Sequence, residues 1–259
     1  MFVKATEIAS ATLSSDNPIH QRLLFAYQEA IKYVKGNVLE LGCGEGRGLE
    51  LILEKAEAYT AFEKNPLVIA NLKEKYKDIN IIERFVPPFM GAKDKSFDTV
   101  CTFQVIEHIE EDEKFVEEIH RVLKPGGTAI ISTPNIKMSL TRNPWHVREY
   151  TVDEFTTLLS KHFDDIEAFG VYGSEVVNRY YERNKASVAK YKRLDIFNLE
   201  QKLPRKILEI PYNILNRINR NQLQKKDDKL VTDISTKDFH LDAASDLCYD
   251  LFYIVKKQA

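Results

Sequence analysis

The chain is poor in the residues that cross-link or ornament small proteins, with three cysteines, one tryptophan and three methionines in 259 residues. Cys43, Cys101 and Cys248 are odd in number and far apart, which excludes a disulfide framework and points to a reducing compartment. No stretch approaches the ~20 apolar residues of a membrane span. The opening segment MFVKATEIASATLSSD has no apolar core of a secretion signal. The expectation is a cytoplasmic protein. Glycine is scarce as well, at 10 residues, yet four of them fall in the short run GCGEGRG. The 44% of hydrophobic residues can fill a core without metal or disulfides, in one large domain or a domain with an insertion.

Net charge is only −2, but it is unevenly spread. From Arg179 to Lys229 there are 14 Lys/Arg against 6 Asp/Glu, a balance of +8 that leaves −10 elsewhere. A basic segment this local suits an anionic partner or a solvated helical face.

Along the chain, Ile19, Leu23, Leu24, Tyr27, Ile31 and Val34 recur at helical spacing over 18–35. NVLEL (37–41) reads as a strand that runs through the glycine-rich turn into the helix LELILEKA. AYTAFEK (58–64) is the next strand, and Asn65-Pro66 caps the helix after it. INIIE (79–83) and FDTVCTF (97–103) follow, then a charged helix from about Glu110 to Leu123. Lys124-Pro125-Gly126-Gly127 breaks that helix and leads into TAIIST (128–133). Five such alternations predict an α/β fold with a doubly wound, mostly parallel sheet. Past Pro134, a capping box from Thr151 to Glu154 opens a helix to about His162. Residues 164–173 and 248–257 read as the last two strands. The organisation expected is an N-terminal helical lid (1–36), a core (37–173), a basic helical cap (174–247) and a closing strand (248–259).

Glycines between a strand and a helix let the backbone turn tightly and approach a ligand at a helix N-terminus. Glu63 ends the following strand, 21 residues after Gly42, where a carboxylate can take both ribose hydroxyls. A dinucleotide site wants G-x-G-x-x-G and room for a pyrophosphate. Here the spacing is G-x-G-x-G, and Glu45 puts a negative charge where the pyrophosphate would lie. A sulfonium cofactor bearing an ammonium group meets no such conflict.

VLELGCGEG, Glu63, SFDTV, FQVIEHI and LKPGG, in this order and spacing, resemble the class I S-adenosylmethionine (SAM)-dependent methyltransferases. The resemblance covers about residues 20–170 and is strongest to the branch holding the ubiquinone-pathway O-methyltransferases and many sugar or glycolipid methyltransferases. It implies a seven-stranded, Rossmann-like sheet with an antiparallel last strand. By position it implies that the turn from Glu40 through Gly42, Cys43, Gly44 and Gly46 wraps the methionine end of SAM, and that Glu63, with Lys64 beside it, binds the ribose. Glu83 stands where the family has Asp near the adenine amino group, and Arg84 could serve by stacking. Phe103 and Gln104 would line the methionine portion.

Methyl transfer from a sulfonium asks little of the protein beyond alignment, although a hydroxyl acceptor gains from a base. Two histidines are candidates. His108 follows the fourth strand in Gln104-Val-Ile-Glu107-His108. Ubiquinone-pathway and small-RNA methyltransferases carry Glu-x-x-Glu-His there and bind a divalent metal. Gln104 removes one of the carboxylates a hard cation prefers, so no metal is expected. The alternative for Glu107-His108 is loop packing. His146 lies in Asn143-Pro-Trp-His-Val-Arg-Glu-Tyr150, a loop at the carboxyl edge of the sheet where acceptors bind. The alternative is a packing loop, with Trp145 in the core and Arg148 paired to Glu149.

In the basic segment, Ile207, Leu208, Pro211, Ile214, Leu215 and Ile218 share one helical face. That face either packs on the domain or meets a lipid-linked or anionic substrate at a membrane surface. The function expected is methyl transfer from SAM to a small-molecule or lipid-linked acceptor at oxygen. The rivals are a nucleic-acid methyltransferase, disfavoured by the negative overall charge, and a SAM-binding partner subunit without catalysis.

Overall fold

The computed structural model describes Ser10, residues 12–77 and residues 79–259, so the first nine residues of the expected lid lie outside the described residues. The elements in chain order are α1 (Asn17–Ala30), β1 (Asn37–Leu41), α2 (Leu49–Leu53), β2 (Ala58–Glu63), α3 (Pro66–Lys75), β3 (Asn80–Glu83), β4 (Phe97–Phe103), α4 (Asp112–Val122) and β5 (Leu123–Pro134). They continue with α5 (Val152–Ser160), β6 (Asp165–Gly173), α6 (Glu175–Lys192), α7 (Leu199–Lys202), α8 (Arg205–Lys226), α9 (Asp228–Thr232), β7 (Phe239–Ala243) and β8 (Asp250–Lys256).

The strands form one sheet in the order β3-β2-β1-β4-β5-β8-β6-β7. Strands β1 to β5 pair in parallel, while β8 runs antiparallel between β5 and β6. Both faces are covered, so the central strands read as continuous apolar runs instead of alternating ones. In β1, Val38 enters the core under α1 and α2, and the adjacent Leu39 enters the opposite core with Phe115, Ile119 and Phe155. The order reverses between β1 and β4, and that crevice at the carboxyl edge is where ligands of such sheets bind.

Three expectations need correction. Among the described residues the sheet has eight strands, not seven. The extra one, β7, lies inside the segment read as wholly helical and pairs antiparallel with β6 at the sheet edge. Its five residues FHLDA alternate too briefly to stand out from a polar helix by pattern alone. Next, α1 ends at Ala30, where the ladder gives way to i→i−3 bonds from Lys32 to Glu29 (3.3 Å) and from Tyr33 to Ala30 (2.9 Å), and Gly36, at φ +60°, then turns the chain into β1. Finally, the apolar face of α8 does not pack on the domain. Ile207, Ile210, Ile214, Leu215 and Ile218 are all exposed, and Tyr212, Asn216, Asn219 and Arg220 face inward.

Helix α8 is fastened to the start of α1 by charge. Asp16, fully buried before α1, accepts from Arg217 (2.8 Å) and Arg220 (3.1 Å) of α8. Burial alone would push its carboxyl up, but the two arginines, with the Ser10 N–H (3.0 Å), outweigh it and hold the group below its usual range.

Candidate active site

The glycine turn is shaped by close approaches. Gly42 and Gly46 adopt φ of +72° and +75°, and a Cβ on either would lie 2.6 Å from Val105 or 2.7 Å from Leu72. Gly44, at φ +50°, is different, because no atom of the described residues lies within 4 Å of where its Cβ would be. The backbone there faces open space, which a ligand pressed against the turn can fill.

Glu63 is buried at the end of β2. Its Oε2 accepts the Gly44 N–H (3.0 Å), and its Oε1 accepts the N–H groups of Lys64 and Asn65 (2.9 Å each). One carboxylate thereby ties the glycine turn to the start of α3. Oε1 is filled by its two donors, and Oε2, with one, keeps acceptor capacity for a ribose hydroxyl. Glu83 is the in-register neighbour of Glu63 across β2 and β3 and is exposed at the sheet edge. Arg84 donates its own N–H to the Glu63 carbonyl (2.8 Å) and its Nε to the Met90 carbonyl (3.1 Å), which places the guanidinium at the same rim.

Other expected residues stand farther back. Glu40 is buried, and its carboxylate takes the hydroxyls of Tyr27 (2.7 Å) and Tyr59 (2.5 Å). It braces the turn from beneath, and burial pushes its carboxyl up. Cys43 is buried, which pushes its thiol up and leaves it inert at neutral pH. Phe103 packs its ring 4.4 Å from Tyr27. The next residue, Gln104, is held at φ +57°, a left-handed conformation that costs a non-glycine residue ~1 kcal/mol or more and clusters at functional sites. Tyr27 and the contact of Arg47 with His20 (2.5 Å) join α1 to the turn; helical spacing places Tyr27 on an apolar face but does not show its bond to Glu40, and no sequence pattern flags the Arg47–His20 contact.

His108 and His146 come together. Their rings meet edge to face with centroids 5.0 Å apart. The Glu107 carbonyl accepts the N–H groups of Val147 (2.6 Å) and Arg148 (3.2 Å), and this holds the loop after β5 against the end of β4. His108 Nδ1 bonds the Trp145 carbonyl (2.8 Å), an acceptor that assigns the proton to Nδ1. Burial, with His146 adding to it, pushes the His108 imidazole down to about 4. His146 Nδ1 meets Glu149 Oε1 at 2.6 Å, and its Nε2 meets Asn143 Nδ2 at 2.7 Å. Asn143 Oδ1 takes the Trp145 N–H (3.1 Å), which points the amide nitrogen at the histidine. The alternative pairing of Arg148 with Glu149 does not form, as Arg148 reaches Asp112 (3.1 Å) and Glu154 (3.6 Å). Trp145 is only half-buried, and Tyr150 is the aromatic that fills the core.

Glu107 is buried, with Oε2 accepting from Thr133 (3.0 Å) and Oε1 meeting no donor among the described residues. Burial pushes its carboxyl up to about 7. Glu107, His108 and His146 each offer a ligand atom, all within 4.8 Å of one another. Two imidazoles and a carboxylate suit zinc or iron(II) better than magnesium. Gln104 withholds one ligand the sequence pattern would need, but His146, from the loop after β5, stands beside Glu107 and His108 in its place.

These groups open onto a cavity of about 270 Å³ between α1, α6, α8 and the loop after β5, lined by Gln104, His108, His146, Tyr180, Asn216 and Arg220 among others. The insertion therefore supplies one wall of the space beside the cofactor edge.

Residues 39–131 match the family model of the methyltransferase domain. The chain is 30% identical over 244 residues to a probable SAM-dependent methyltransferase of Mycolicibacterium smegmatis, covering 90% of this chain and 85% of that one. It is 31% identical over 135 residues to the mitochondrial ubiquinone biosynthesis O-methyltransferase of Dictyostelium discoideum, covering 47% and 39% of the two chains. A solved possible histamine N-methyltransferase of Thermotoga maritima shares the fold, with a TM-score of 0.57, 14% identity and coverage of 93% and 91%. Among the described residues, no helix is long and apolar enough to cross a membrane. The glycine turn with its anchored Glu63 thus has a family to belong to, and this chain is a member of the SAM-dependent methyltransferases.

Proposed function

We propose that the chain methylates a hydroxyl of a small-molecule or lipid-linked acceptor held in the cavity under α6 and α8, with His146 as the base. The observation that carries this reading is the contact of His146 with Glu149 (2.6 Å) on the cavity wall. SAM supplies a methyl already activated on sulfur, so the residues need only align the acceptor and take its proton. Gly44 and Glu63 would hold the cofactor, with Glu83 and Arg84 at its adenosine end. Glu149 accepts the Nδ1 proton of His146 and leaves Nε2 as the basic nitrogen. An acceptor hydroxyl would displace the Asn143 amide from Nε2 and donate its proton there. His108, pushed down to about 4, is too weak a base at neutral pH and serves as a neutral wall. The polar lining, with Tyr180, Asn216 and Arg220, favours an acceptor rich in hydroxyl or anionic groups.

One observation favours a metal-assisted variant of this reading, namely the unpartnered Oε1 of Glu107 beside two histidines. A cation held by them would polarise the acceptor oxygen. The test of the main reading is incubation of metabolite and lipid extracts with isotopically labelled SAM. A labelled methyl ether is expected with the wild type and not with His146→Ala. SAM binding by the wild type with no labelled product from any extract would favour the non-catalytic partner subunit.

A further inference from the structure

Helix α8 is inside out. Its water-facing side carries Ile207, Ile210, Pro211, Ile214, Leu215 and Ile218, with Ile210 at 71% exposure, while Tyr212, Asn216, Asn219 and Arg220 line the cavity. The turn that leads into it, before and within α7, exposes Leu194, Ile196 (79%), Phe197 (67%) and Leu199. A globular helix buries such a stripe, and an exposed apolar patch of this extent marks a contact surface. Around it Lys190, Arg193, Lys202 and Lys206 are exposed and make no ion pair among the described residues.

We infer that this face docks on a lipid bilayer bearing anionic headgroups. A bilayer accepts aliphatic side chains below the headgroups and basic side chains at their level, and helices of this length lie in that plane. No helix among the described residues can span the membrane, so the contact is peripheral. A second copy fits less well, because a two-fold contact sets the same patch against itself and would oppose two segments of +8. A polynucleotide offers phosphates for the lysines but no apolar phase for the isoleucines.

The surface also adjoins an entrance to the site. Lys192, Glu200 and Arg205 line an opening shared with His146 and Glu149, and Arg205 reaches the His146 carbonyl (3.4 Å). A lipid-linked acceptor can enter head first while its chain stays in the bilayer. That delivery rests on the cavity reading above, whereas the docking does not.

The test is co-sedimentation of the full chain with phosphatidylcholine vesicles, with and without phosphatidylglycerol, alongside calorimetry of SAM binding. Binding should be at least about tenfold tighter on the anionic vesicles, the worth of one or two basic residues at such a surface. The pair Ile210→Glu with Ile214→Glu, and separately Lys202→Glu with Lys206→Glu, should each lose that affinity while SAM binding stays intact, which shows that the variants fold. Docking is overturned if protein that binds SAM ignores both vesicles, or if the isoleucine pair instead dissolves a dimer seen by light scattering. It is overturned equally by salt-sensitive capture of RNA in place of vesicles. Vesicle binding without SAM binding would sink the methyl-transfer reading and leave the docking standing.

Discussion

Replacing Glu107 with glutamine should stabilise the protein at alkaline pH and not at acid pH. The carboxyl is 1% exposed, one oxygen has no donor, and burial pushes it from 4.5 up to about 7. A raised value means that the folded state holds the proton more tightly than the unfolded chain does. The contribution is therefore fully present below pH 4.5 and is lost as pH climbs through 7. Above pH 8 the fold must carry a buried carboxylate, at a cost of about 3 kcal/mol from ~1.4 kcal/mol per tenfold change in proton affinity. Glutamine keeps the acceptor for Thr133 and carries no charge. Its amide adds an unpaired N–H costing ~1 kcal/mol at every pH, so the informative quantity is the difference between two pH values. Thermal unfolding in chelator should show the Tm of Glu107→Gln gaining on the wild type by roughly 6–12 °C between pH 4.5 and 8.5. An offset that does not change with pH would refute the argument. Wild-type stabilisation by zinc at pH 8, absent in the variant, would instead place Oε1 in a coordination shell.

Three further outcomes are expected. Glu63→Ala should weaken SAM at least about tenfold by calorimetry, the ~1.4 kcal/mol of one charged hydrogen bond, and equal affinity would remove Glu63 from the ribose. His146→Ala should cut turnover by ~10²-fold or more with SAM affinity intact, and Glu149→Gln should lower the pH-independent rate in the same assay; an effect on Tm and SAM affinity alone would make the loop structural. Turnover should survive chelation, since the contact of His146 with Glu149 needs no cation, and its loss with restoration by zinc or iron(II) would assign Glu107, His108 and His146 as ligands.

Local signals carried much of the fold. The strand–turn–helix of 37–53 and the caps at Asn65 and Thr151 are set within a few residues, so pattern alone placed them, and Asn65 and Thr151 do accept the expected N–H groups. β7 escaped because five residues at a sheet edge owe their conformation to β6, not to themselves. In the site, Glu63 was legible because its distance from the glycine turn is one βαβ step. The bond from Glu149 to His146 was not, because neighbours in a loop can pair in several ways. Arg148 was an equally good partner on paper, and what decided was Asp112, a residue 36 positions away that draws Arg148 off.

Helix α8 shows the same limit from the other side. Its periodicity named most of the apolar stripe, missing Ile210 and including the half-buried Leu208, but could not say which way the stripe would turn, because amphipathicity fixes two faces and not their destinations. The destination was set by the polar face. Arg217 and Arg220 are drawn to the buried Asp16 (2.8 and 3.1 Å), and leaving that carboxylate unpaired in the interior would cost several kcal/mol. Satisfying it forces Tyr212, Asn216 and Asn219 toward the cavity and the isoleucines toward the outside. The ion pairs that hold α8 to the start of α1 beside the cavity are thus the ones that turn the apolar stripe outward, so one contact orients both the cavity wall and the outer surface.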